Sequence, residues 1–162
     1  MNLDECIAEI RLRHFPNAPA SASAIAAAFD SLPWPVPDDL RLFYQTFNGA
    51  KLFCDPNSPI AIVPLDSFHP TSIDLYGENY ESSMPPAWFS LADVEDGNFI
   101  AIDLAGVNSL SADILDIFHE TASHEGYRNV IAKSFTEFLS DALTSGGEHY
   151  WLKEEFLGHG YR

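Results

Sequence analysis

An α+β domain, with a mainly antiparallel sheet of about four to six strands packed against helices at its N- and C-terminal ends, is the fold class this chain predicts. Three observations carry it: helical apolar periodicity in the first 50 residues, alternating β-branched and aromatic runs between residues 58 and 120, and a well-capped helix from Ser134. A length of 162 residues reads as one domain over 1–162, long enough to bury about two-thirds of the surface exposed by its unfolded form. Its 46% hydrophobic and 13% aromatic content excludes a disordered acidic tail.

In chain order, "LDECIAEI" repeats apolar residues at Leu3, Ile7 and Ile10, a helical spacing. "SASAIAAAF" follows, with Ser21 or Ser23 as its N-cap and Ile25, Ala28, Phe29 and Leu32 on one face. Prolines 33, 35 and 37 then make "LPWPVP" an extended linker. In "VPDDLRLFYQTFNGAKLF", residues 36–53, Leu40, Phe43, Tyr44 and Phe47 fall at i, i+3, i+4 and i+7 and form one buried stripe. Pro37 suits the first turn, and Asp38 and Asp39 face the positive end of the helix dipole. Gly49 is expected to stop the helix in a left-handed conformation.

"SPIAIVPL" reads as a short strand bounded by prolines. "DSFHPTSIDLYGENYESSMPP" reads as a long irregular loop, or a loop holding one short helical turn. "AWFSLADV" and "NFIAIDLAG" flank "EDGN", a hairpin signal, with Ile100, Ile102 and Leu104 sharing a face. "ADILDIFHE" is a further strand. In "SFTEFLSDALTSGG", Ser134 and Glu137 make a capping box, Phe135, Phe138, Leu139 and Ala142 face inward, and Gly146-Gly147 end the helix.

Charge is the unusual bulk property. The formal net charge is −16, and no Lys or Arg occurs from Leu52 to Tyr127, a stretch that holds thirteen acids. Nucleic acid and anionic membranes are repelled by such a surface, whereas a basic protein is steered toward it. The acidic start "MNLDECIAEI" carries no basic segment of a secretory signal, and no apolar run reaches membrane-spanning length, so a cytoplasmic location is expected. Cys6 and Cys54 have neither metal-type nor redox-type spacing and are expected to be isolated thiols.

Enzyme signatures fail on geometry. His119 and His124 in "HETASHE" are five residues apart, where a zincin helix needs four to put both imidazoles on one face. "DVEDGN" resembles a calcium loop, but its glycine is one position early and Leu104 replaces the terminal glutamate. No nucleophile elbow, phosphate-binding loop or dinucleotide fingerprint occurs. Cys54 lacks surroundings that would activate it, and Trp34, Trp88 and Trp151 read as core anchors. No catalytic residue, metal ligand or cofactor is therefore assigned.

The ordered set "VPDDLRLFYQTFNGA", "IAIVPL", "WFSLADVEDGNFIAIDL" and "NVIAKSFTEFL", with "YWL" beyond, resembles the SUKH superfamily over roughly residues 20–152. That superfamily includes fungal cell-wall regulators and bacterial immunity proteins. The resemblance implies a non-enzymatic, cytoplasmic immunity protein that binds and neutralises a cognate toxin, such as a nuclease. The alternative is a protein-interaction or scaffolding module with no toxin. The expected partner is a basic toxin protein, with no direct nucleic acid or membrane contact. Pro37, Asn48, Gly49, Gly97, Asn98 and Ser134 are expected to build the fold. Partner contacts are expected instead from loop and turn acids: Asp74, Glu78, Glu81, Glu95, Asp96, Glu120 and Glu125.

Overall fold

The computed structural model describes residues 1–53, 59–77, 84–95, 97–106 and 111–162. Local signals account for its helices. In α1 (Leu3–Arg13) the Asn2 side chain caps the Glu5 amide, and the Glu5 carboxylate returns to the Asn2 amide. Cys6, Ile7 and Ile10 are its buried stripe, and burial pushes the Cys6 thiol upward; Cys54 lies outside the described residues. Helix α2 (Ala22–Phe29) starts where Ser21 Oγ accepts the Ala24 N–H at 3.1 Å, and it buries Ile25 and Phe29. Helix α4 (Thr71–Tyr76) is the helical turn inside the polar segment. In α5 (Phe135–Thr144), Ser134 Oγ accepts the Glu137 N–H at 3.0 Å. The Glu137 carboxylate reaches one residue past the expected box, accepting the Lys133 N–H at 2.6 Å.

Helix α3 (Asp38–Thr46) corrects the expected boundary. Pro37 is its N-cap, and Phe47 is already extended, with φ −142° and ψ 130°. The helix thus stops before Gly49, although Gly49 has φ +84° as expected. The physical reason is a close approach of two backbones. A Cβ at Gly49 would stand 2.7 Å from the Ile62 carbonyl oxygen and 3.0 Å from Pro64 N. Asn48 secures the same crossing by accepting the Leu65 N–H on Oδ1 at 2.9 Å and the Asn17 Nδ2–H on its carbonyl at 2.7 Å. The Tyr44 hydroxyl donates to the Val63 carbonyl at 2.8 Å.

Among the described residues, seven antiparallel strands form one sheet whose spatial order follows the chain: β1 (Phe15–Pro16), β2 (Ala50–Leu52), β3 (Ile60–Ile62), β4 (Trp88–Asp93), β5 (Phe99–Asp103), β6 (Ile114–Ile117) and β7 (Asn129–Ala132). The α+β class is as predicted, but seven strands exceed the expected four to six. The extra ones are β1, β2 and β7, of two, three and four residues. Their strand character comes from pairing with a neighbouring strand and not from an alternation of their own. Beyond β7 the chain returns along the sheet edge, where Val130 N–H donates to Gly160 O and His159 N–H to Val130 O, both at 2.8 Å. This return covers edge groups that would otherwise invite pairing with another chain.

The two sheet faces are unequal. Ile100, Ile102 and Leu104 join the large core under α1, α3 and α5, where Phe43 meets Phe135 edge-on at 5.1 Å. Asp39 of α3 also ties these helices together, accepting the Thr136 N–H and Oγ1–H at 2.9 Å each. The opposite face carries a smaller cluster built on Met84, Trp88, Ala101, Leu115 and Val130, with Leu75 of α4 against it. Among the described residues, no helix is long and apolar enough to cross a membrane.

Gly49→Ala should destabilise the domain by about 2–4 kcal/mol, because positive φ and a backbone collision act together. Gly146 has φ +73° but open space where a Cβ would go, so Gly146→Ala should cost only about 1 kcal/mol. Urea denaturation of both variants checks this. Equal losses would show that the contact with Ile62 relaxes freely.

Candidate partner-binding surface

Sheet register decides which of the sequence-named acids become neighbours. Phe99 pairs with both Asp93 and Ile117, so the β4–β5 turn and the segment leaving β6 lie at the same end of the sheet. The turn is held by Asp93 Oδ1, which accepts the Glu95 N–H at 2.7 Å, and by Asn98 N–H donating to the Glu95 carbonyl at 2.9 Å. Glu95 and Gly97 both take positive φ. Asn98 Oδ1 then accepts the His119 N–H at 3.1 Å, bridging the two segments. Glu95 and Glu120, both exposed, therefore share one rim.

The other sequence-named acids lie elsewhere. Glu125 is exposed beside Trp88, Asp103 and Arg162 along a separate cleft. Asp74 is exposed but engaged: its carboxylate accepts the Ser90 hydroxyl and lies 3.5 Å from His69 Nδ1. Burial raises its pKa, opposed by the Ser90 hydrogen bond and His69. Glu78, Glu81 and Asp96 lie outside the described residues. His119 Nδ1 contacts Asn98 Oδ1 at 2.9 Å, and His124 lies against Ser123 and Tyr127. Among the described residues, no three His, Cys, Asp or Glu side chains gather in a metal-binding arrangement.

The rim formed by the β4–β5 turn borders a cleft of about 270 Å³ lined by Val94, Asn98, Asp116, Phe118, His149, Trp151 and Leu152. Its walls come from three separate elements. Asp116 sits opposite Ile100 and so points toward the helix-covered face of the sheet. Trp151 belongs to the 3₁₀ turn Tyr150–Leu152 beyond α5. That turn is anchored by the Tyr150 hydroxyl, which donates to the Ile131 carbonyl at 3.2 Å, and by His149 stacked on Trp151 at 4.8 Å. Phe118 and Leu152 remain 41% and 68% exposed at the mouth. Large apolar groups beside a recessed carboxylate are unusual on a surface this charged.

Asp116 escaped the residue-level reading, as did the Trp151 side of the cleft, since Trp151 reads as a core anchor. The available signal was "ILDI", a single acid within an otherwise apolar run. Burial pushes the Asp116 carboxyl up to about 6, with a Trp151 hydrogen bond opposing the rise. Among the described residues no cation pairs with it, and Lys153, the first base after Leu152, turns to Glu148 at 2.6 Å.

The pH consequence has a definite sign. Well below pH 4 the carboxyl is protonated in both the folded and the unfolded chain, and its ionisation contributes nothing to stability. As pH rises from about 4 to about 6 the unfolded chain ionises first, so the native state loses stability, by up to about 3 kcal/mol at neutral pH. Asp116→Asn should thus be more stable than the native protein by about 1–3 kcal/mol at pH 7.5 and no more stable near pH 3.5. Thermal or urea unfolding at both pH values measures the difference. A constant difference across that range would contradict the burial of an ionised carboxylate.

Comparison with known proteins agrees with this architecture. The model of the SMI1 / KNR4 family (SUKH-1) matches residues 19–141. The chain is also 29% identical to Immunity protein YokJ of Bacillus subtilis (strain 168) over 126 residues, covering 77% of this chain and 75% of that protein. The matched segment runs from the approach to α2 through most of α5, and so includes the Asn48-Gly49 crossing, the hairpin and the Ser134 cap. The chain belongs to the SMI1 / KNR4 (SUKH-1) family.

Proposed function

We propose that this protein is a cytoplasmic immunity protein that binds and neutralises a cognate basic toxin, acting by occlusion and not by catalysis. The observation that carries the reading is its likeness to Immunity protein YokJ over about three-quarters of both chains. The charge distribution supports it independently. A nuclease or another toxin acting on a polyanion presents a basic surface, and the acidic stretch from Leu52 to Tyr127, free of Lys and Arg, is its electrostatic complement. In this reading Glu95 and Glu120 lie on the contacting rim, with Glu78, Glu81 and Asp96 adding to the same field. Glu125 contributes from a separate cleft. Asp74, held by Ser90, adds charge to the field.

Occlusion of this kind separates two kinetic roles. The diffuse acidic field governs how often the partners meet, because exposed charges act over a screening length of about 8 Å at physiological ionic strength. Desolvated contacts at the centre of the interface govern how long the complex lasts.

Co-expression with the product of each adjacent reading frame tests the function. A toxin that arrests growth alone and is silenced by this chain is the expected result, and the absence of protection against every neighbour would favour the toxin-free interaction module. With the purified pair, changing Glu78, Glu81, Glu95, Asp96 and Glu120 together to Lys should lower the association rate on the order of tenfold or more at low salt. The dissociation rate should change much less. An unaltered association rate in a folded variant would remove the electrostatic part of the reading.

A further inference from the structure

We propose that the cleft between the β4–β5 turn, the end of β6 and the 150–152 turn is a receptor for one arginine side chain of the protein partner, with the guanidinium on the Asp116 carboxylate and the aliphatic stem between Phe118 and Leu152. Placing that arginine on a toxin rests on the immunity reading above; the chemistry of the cleft does not.

Size limits the occupant. At about 270 Å³ the cleft lies below the roughly 300–1,000 Å³ typical of small-molecule sites, and a helix or strand needs a longer groove. One extended side chain fits this scale. The lining sets the chemistry: the mouth is apolar through Phe118 and Leu152, while the floor holds a carboxylate that no described cation neutralises. A long side chain with an apolar stem and a cationic head matches both parts. Arginine fits better than lysine, because its planar guanidinium donates two parallel hydrogen bonds to a carboxylate.

The energetics of Asp116 point the same way. A recessed carboxylate whose only described side-chain hydrogen bond is from Trp151 weakens its own fold when ionised, and such groups concentrate at functional sites. An incoming guanidinium would supply the missing counter-charge in a setting shielded from water. Arginine in an aromatic, desolvated pocket is also a common anchor of protein interfaces. The acidic rim at Glu95 and Glu120 would favour approach of the same cation.

The proposal can be tested without any toxin. Propylguanidinium, the arginine side chain alone, is titrated into the full-length protein at pH 7.5 while the Trp151 indole N–H is followed by NMR. A saturable shift with a Kd on the order of 1–30 mM is expected, the range open to a single side-chain contact. Propylurea, which is neutral and nearly the same shape, should bind at least tenfold more weakly. Asp116→Asn should lose binding by a similar factor, and Leu152→Ala, a change at an exposed position, should weaken it by about threefold. No saturable shift at Trp151, equal binding of propylurea, or unchanged binding by folded Asp116→Asn would overturn the proposal, whatever co-expression shows. A saturable, Asp116-dependent shift supports it even where no neighbouring toxin is silenced.

Discussion

The backbone crossing at Asn48-Gly49 is the constraint on which the remaining structure depends. The aromatic stripe of α3 has to enter the core while the chain turns directly into β2, and its path passes within van der Waals range of β3. Absence of a side chain at Gly49 permits that passage. Asn48 then fastens it, taking the Leu65 amide on its side chain and the Asn17 amide on its carbonyl. With the crossing set, β2 is aligned on β3, the Tyr44 hydroxyl finds the Val63 carbonyl, and the Phe43 ring meets Phe135. Many weak contacts are thereby committed to one arrangement, which is how a packed core acquires a unique native state.

From that fixed end the sheet propagates as a meander, each strand beside its sequence neighbour. This simple order leaves the connections at the two sheet ends to carry variation. The β4–β5 turn, the segment after β6 and the turn after α5 converge around Asp116 although they are far apart in the chain. A rigid sheet holding short loops in register suits a binding surface, because the loops can differ without disturbing the core.

In the proposed reading the acidic character acts at two ranges. The long-range part is a property of composition: thirteen acids without a Lys or Arg from Leu52 to Tyr127 make a field that does not depend on the position of any single one. The short-range part depends on one recessed carboxylate with aromatic walls. The first governs encounter and the second persistence, and only the second discriminates sharply between partners, since desolvation penalises a poor fit.

Much of this was legible in the chain alone. Periodicity and capping located α1, α2, α5 and the β4–β5 hairpin, because those elements are specified by residues within a few positions of one another. The ordered motifs placed the family, and composition alone established the acidic field. Tertiary structure decided the rest. β1, β2 and β7 are strands only because a neighbour pairs with them; Gly49 is required by a carbonyl thirteen residues away, at Ile62, and not by the end of its own helix. Asp116 reads as one acid among many, and Trp151 as one core aromatic among several, until the fold sets them against Phe118 in a common cleft. Juxtaposition across long sequence separation leaves no local pattern, so sequence determined the elements and the charge, whereas packing determined which side chains meet.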